Sequence, residues 1–401
     1  MLIACRSGRR ARHADAVGDD VQDLLALLGG AEGCRRLATI FYAEVERDPV
    51  LRPLFGKTFS KPINALAAYL CQLAGGPPVY SGTRWWLSLR EAHRRFAIGP
   101  GHRDAWLAGM ARALDEAGPP EPARKALLAF FERSAPTLVN RGGNPGSGEP
   151  LPAPPASAVH GHLAARWEEE LAVEEAVAAI RRGDAGRALA LAEGQQLRAL
   201  LDRDRAALCS LLELMAGCGN QTLLDHVRRR LHDDPSLVRV TYAGSRTLIH
   251  GAAAAGCLPL VELLLDMGAA IEAIYGGGRT PLFCVANECR GARAGAVARE
   301  LLRRGAVVDA RDWTKRCTPL HAAARRGTLA VAAALLDGGA DLEARDSAGD
   351  TPLRRAVNCG QVEMAAFLLA RGADAESRGA RGLTPLLAAR SEVMRQTLRA
   401  S

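Results

Sequence analysis

Apolar positions recur every three or four residues through the first third of the chain. Val21, Leu24, Leu25 and Leu28 share one face, and Leu37, Ile40, Phe41 and Val45 a second. Ile63, Leu66, Leu70 and Leu73 form a third, and Leu127, Phe131 and Leu138 a fourth. This spacing predicts helices with one side turned to a core. Gly29-Gly30 and Gly75-Gly76-Pro77 break the stripes, because neither pair sustains a helix. No stretch shows the period-two alternation of a strand, so the expected class is all-α.

The second half repeats itself. Thr247-Leu248-Ile249-His250 returns as Thr280-Pro281-Leu282-Phe283, Thr318-Pro319-Leu320-His321, Thr351-Pro352-Leu353-Arg354 and Thr384-Pro385-Leu386-Leu387. The intervals are 280−247=33, 318−280=38, 351−318=33 and 384−351=33. Threonine caps a helix, proline suits its first turn, and Gly256, Gly327 and Gly360 supply the left-handed exit. Leucine pairs in a second helix and Gly-Ala steps recur in phase. This pattern resembles the ankyrin repeat, whose resemblance implies a helical solenoid that offers a surface to protein partners. His250 and His321 read as structural residues that bond neighbouring loops. The five extra residues of the 38-residue interval are expected near Glu288–Gly295. Glu174–Ala192 and Leu208–Leu237 read as worn helix pairs of the same kind, and the unit from Gly382 as a C-terminal cap.

Residues 141–159 are rich in proline, glycine and serine and read as a linker. The expected organisation is an N-terminal arm at 1–20, a helical domain at 21–140 and the linker at 141–160. Degenerate ankyrin-like capping units at 161–243 and ankyrin repeats at 244–401 follow.

The chain carries a net charge of +8, and lysine occurs only at 57, 61, 125 and 315. Basic and acidic residues alternate without a block, which argues against a nucleic-acid footprint. No run approaches the roughly 18 apolar residues of a membrane span. Ten cysteines without a Cys-x-x-Cys pair read as free thiols in a reducing cytoplasm.

Of the 18 aromatic residues, 12 lie between Phe41 and Phe131, the density of a domain that lines a large pocket or core. Motifs follow in a fixed order: Leu28-Gly29-Gly30, Phe41-Tyr42, Asp48-Pro49-Val50-Leu51, Gly75-Gly76-Pro77 with Tyr80, Leu89 to Ile98 around His93, and Arg103 to Leu107 around Trp106. Together they resemble a truncated haemoglobin of the second group over roughly residues 21–140. The resemblance implies a two-over-two truncated globin that holds haem b. It makes His93 the proximal iron ligand and gives Tyr42 and Trp106 as distal hydrogen-bond donors. Phe55, Pro62, Leu66 and Phe96 would pack on the haem, and Arg90 would pair with a propionate. His102 reads as a solvated turn residue. Two departures touch the pocket wall: Arg84-Trp85-Trp86-Leu87-Ser88 replaces the family's Gly-His-Pro-Arg-Leu run, and a proline stands at position 62.

The expected function is binding of O2, or of NO or CO, by a haem domain tethered to a protein-interaction module, with gas- or redox-responsive adaptor work as its use. An alternative is a haem enzyme, an NO dioxygenase or a peroxidase-like catalyst. It would need an external reductase, since no flavin motif is present. A haem-free globin-shaped scaffold is the second alternative.

Overall fold

The structure is a computed structural model in which residues 24–80, 89–94, 96–141, 158–379 and 382–399 are described. The expected arm at 1–20, most of the 141–160 linker and the Arg84–Ser88 departure lie outside them. Among the described residues the regular structure is helical, with two isolated bridges, Tyr242 with Arg246 and Tyr275 with Arg279. None of the described helices is long and apolar enough to cross a membrane. The chain divides into two compact units. One runs to Ala178 and takes in Ala190–Asp204; the other comprises Ala179–Leu189 and the chain from Arg205.

In the first unit, α1 (Gly30–Arg47) buries Cys34, Leu37, Ala38, Phe41 and Val45 on one stripe. The chain enters it through a close approach. A Cβ on Gly33 would lie 1.6 Å from the Leu28 carbonyl oxygen, so only glycine fits. Against α1 pack α2 (Ser60–Leu73), through Ala67, Leu70 and Leu73, and α4 (Pro100–Ala117), through Met110, Ala113 and Leu114. Between them in sequence lies the five-residue α3 (Leu89–His93). Helix α5 (Glu121–Ser134) closes the core with Leu127, Phe130 and Phe131. His102 differs from its sequence reading: it lies in the first turn of α4, where Nδ1 accepts the Gly99 N–H at 3.2 Å.

Helix α6 (Ala158–Arg182) is a single 25-residue helix. It contributes Leu163 and Trp167, 3% and 5% exposed, to the core of the first unit. The sequence pattern gives 161–243 as degenerate ankyrin-like capping units, with a worn helix pair at Glu174–Ala192. A helix of alanine, leucine and glutamate carries no landmark that says which apolar surface it covers; Leu163 and Trp167 cover that of the first unit. Two short helices follow, α7 (Ala185–Glu193) and α8 (Gln195–Arg203), and Arg203 forms an ion pair with Glu169 of α6.

The second unit is a row of antiparallel helix pairs. They are α9 (Arg205–Gly217) with α10 (Gln221–Asp233), α11 (Leu248–Ala255) with α12 (Leu258–Asp266), and α13 (Pro281–Glu288) with α14 (Ala294–Arg303). Then come α15 (Pro319–Arg326) with α16 (Leu329–Asp337), α17 (Pro352–Asn358) with α18 (Val362–Ala370), and the short α19 (Pro385–Ala388) with α20 (Glu392–Arg399). The hydroxyls of Thr280, Thr318, Thr351 and Thr384 accept from the backbone N–H three residues on, as the repeat chemistry requires. Three of the five extra residues of the 38-residue interval lengthen the 289–293 loop between α13 and α14.

Two buried polar devices stitch this unit. In the first, His250 Nδ1 accepts the Thr247 N–H at 3.2 Å, and Nε2 lies 2.9 Å from the Ala273 carbonyl. A carbonyl only accepts, so the proton sits on Nε2 and the ring is neutral. Burial pushes this imidazole down to about 4. His321 repeats the arrangement with Thr318 and the Asp350 carbonyl, and burial lowers it too. In the second device, Arg246, 7% exposed, donates to Glu213 at 2.9 and 3.1 Å and to Glu288 at 3.3 Å. The Tyr242 hydroxyl donates to Glu213 at 2.6 Å, and that of Tyr275 to Glu288. The Arg246 guanidinium lies 5.0 Å from the Tyr275 ring centroid.

Candidate functional site

The turn after α1 sets the first wall. The Asp48 carboxylate accepts the Val50 and Leu51 N–H groups at 2.8 and 2.9 Å, closing an Asx turn that explains the Asp-Pro-Val-Leu motif. A short 3-10 turn, Arg52–Leu54, follows. Arg52 donates to the carbonyls of Phe55 and Gly56 and stacks over Phe59, 5.0 Å from its centroid. These contacts fix Phe55 and Phe59, one helical turn apart in sequence, beside α1.

His93 closes α3 and is half-buried. The segment after it is tied back to the end of the domain. Phe96 N–H donates to the His93 carbonyl at 2.9 Å. The Asn140 side chain accepts from Ile98 N–H at 2.9 Å and donates to the Phe96 carbonyl at 2.8 Å.

From His93 a continuous run of rings crosses the unit. The centroid separations are 6.3 Å to Phe96, then 6.2 Å to Phe55, 5.5 Å to Tyr42, 5.2 Å to Phe41 and 5.3 Å to Trp106. Phe59 joins this run 5.6 Å from Tyr42. The structure therefore brings together His93, Phe96, Phe55, Tyr42 and Trp106. Leu66 is half-buried against the same core. Pro62 lies in the first turn of α2, where its missing N–H leaves no helical bond unmade. Arg90 is engaged elsewhere: its guanidinium pairs with Glu174 of α6 at 2.6 Å. The sequence pattern gives Phe41 as a core-face and motif residue and does not single out Phe59, because a ring without a polar atom is indistinguishable from core.

Phe41 is fully buried, whereas Tyr42, Phe55, Phe59, Leu66 and Trp106 pack against the core and remain half-exposed. Large apolar side chains held with one side open make a surface for a flat apolar group. A phenol O–H and an indole N–H can donate there, and one imidazole can ligate. Among the described residues there is no group of three His, Cys, Asp or Glu side chains that could hold a bare metal ion. A single imidazole suits a metal that arrives with its other ligands, as haem iron does.

Comparison with known proteins agrees with this geometry. Residues 23–140 match the family model of the bacterial-like globins, and residues 289–379 match that of the ankyrin repeats, three copies. Over 112 residues the chain is 32% identical to the group 2 truncated hemoglobin YjbI of Bacillus subtilis (strain 168), covering 85% of that protein and 28% of this chain. The chain belongs to the truncated haemoglobin family. Its globin domain is fused to an ankyrin-repeat array, a module of protein interaction. Within the globin domain the ring run leads from His93 through Tyr42 to Trp106. Burial pushes the Tyr69 phenol well above its usual range, and Glu170 of α6 adds to the effect. The Tyr69 phenol thus stays neutral at physiological pH.

Proposed function

We propose that the globin domain holds haem b with His93 as the axial ligand, binds O2 or another diatomic gas (NO or CO), and is tethered to protein partners by the ankyrin array. The observation that carries this reading is the run of half-open rings that joins an imidazole to a phenol and an indole. When bound, haem supplies the iron to which a gas adds. The chain supplies the rest. Phe55, Phe59, Phe96, Leu66 and Pro62 exclude water and confine the group. Tyr42 and Trp106 donate hydrogen bonds to a polar ligand. Arg90 stays paired with Glu174 and is not counted among the groups that would hold a propionate.

The test is hemin titration of the full chain and of a His93→Ala variant, followed by absorption. Wild type is expected to develop a Soret band at one equivalent, and the variant to lose the proximal-histidine spectrum. Each hydrogen bond is worth about 1 kcal/mol, so Tyr42→Phe or Trp106→Phe should speed O2 dissociation roughly five-fold. Equal hemin spectra for wild type and His93→Ala would sink the reading. A chain that takes up no hemin would leave a scaffold of globin shape.

A further inference from the structure

The run of rings extends past the segment that matches the globin family. Trp106 meets Phe131 at 5.1 Å, Phe131 meets Phe130 at 5.6 Å, and Phe130 meets Trp167 of α6 edge-on at 6.0 Å. On the other side of the site, Glu174 of the same helix holds Arg90, three residues before His93 within α3. Leu163, Trp167, Glu170 and Glu174 fall at steps of four, three and four, which is one stripe of a helix. One face of α6 thus covers the core with its first half and grips the proximal segment with its second. Glu170, between the two, acts on Tyr69.

Of helix α3, the residues Leu89–His93 are described. The Arg90–Glu174 ion pair at 2.6 Å tethers it to α6. Trp167 is 5% exposed, which is core burial and not a passing surface contact.

We propose that α6, which lies outside the family-matched residues 23–140, is a working part of the globin domain, and that Trp167 and Glu174 are positioning residues for its site. Trp167 sets the Trp106 side through Phe130 and Phe131; Glu174 sets the helix that carries His93. The link to haem rests on the function proposed above; the membership of α6 in the domain does not.

The test uses the full-length chain with Glu174→Gln, Trp167→Leu, and the charge swap Arg90→Glu with Glu174→Arg. Without haem, amide exchange in Leu89–His93 is expected to rise two- to five-fold in Glu174→Gln, the range of a partly exposed ion pair, and to return in the swap. Trp167→Leu should instead speed exchange in α4 and α5. With hemin bound and reduced, the iron–imidazole stretching band should shift in Glu174→Gln and return in the swap. Unchanged exchange in both single variants would overturn the proposal. Altered exchange with an unshifted band would reduce Glu174 to a structural contact and overturn its positioning role. Should wild type take up no hemin, the haem reading fails separately, and the exchange data still decide whether α6 belongs to the domain.

Discussion

Arg246→Met is expected to destabilise the ankyrin unit by about 3–5 kcal/mol, the cost of stranding buried charge. Glu213 and Glu288 both point at this guanidinium, and each accepts one further bond from a tyrosine. Burial opposes the arginine's charge, but the two carboxylates more than offset it and raise its pKa above the ordinary value. Removing the cation leaves two carboxylates that tyrosine hydroxyls alone cannot satisfy. Relief by movement is restricted. Glu213 lies over Gly251, where even a Cβ would come within 2.3 Å of its carboxyl carbon. Adding Glu213→Gln and Glu288→Gln to the methionine variant should recover much of the loss, because buried charge and not lost contact area dominates the cost. Urea unfolding, read by amide exchange in α11 and α13, gives the answer. A shift under about 1 kcal/mol for Arg246→Met would show that the network is solvated and marginal.

The second large effect is acid lability of the same unit. His250 is neutral in the fold, with its pKa lowered from 6.5 to about 4 by burial, while Arg246 nearby also disfavours a second positive charge. The unfolded chain therefore binds more protons than the folded one across that interval. Stability present above about pH 6.5 is lost as pH falls toward 4, by roughly 3 kcal/mol for this imidazole. His321 acts in the same direction. Unfolding free energies at pH 7 and pH 4.5 should differ more in wild type than in His250→Gln, which has no imidazole to protonate. The same pH slope in both proteins would refute the assignment.

The ankyrin array was legible because its chemistry is local. A threonine hydroxyl, a proline and a left-handed glycine act within one turn, so Thr280, Thr318, Thr351 and Thr384 announce their helices in order. The globin helices were legible through their stripes, and motif order drew attention to His93, Tyr42, Phe96 and Trp106, which the ring run joins. What escaped the sequence was every feature made by distant partners. Arg246 finds its carboxylates 33 and 42 residues away, and only the stacking of successive repeats brings them together. Helix α6 escaped because its stripe combines two apolar and two acidic residues. Such a pattern shows that a face is occupied, not by what. Arg90 was read toward a propionate, and nothing near it in sequence announced Glu174.

The loop at 289–293 carries a consequence for engineering. It is five residues long where its counterparts 256–257 and 327–328 have two, yet α13 still packs on α15 and α14 on α16. Loop length at this point is decoupled from stacking, and each doubling of a flexible loop costs only about 0.6 kcal/mol. Gly291 and Ala292 are exposed, whereas Cys289 and Ala294 on either side are buried. The bond between Gly291 and Ala292 is therefore a permissive graft point, where an epitope or a fluorophore acceptor peptide can be spliced into the array without unseating its helices.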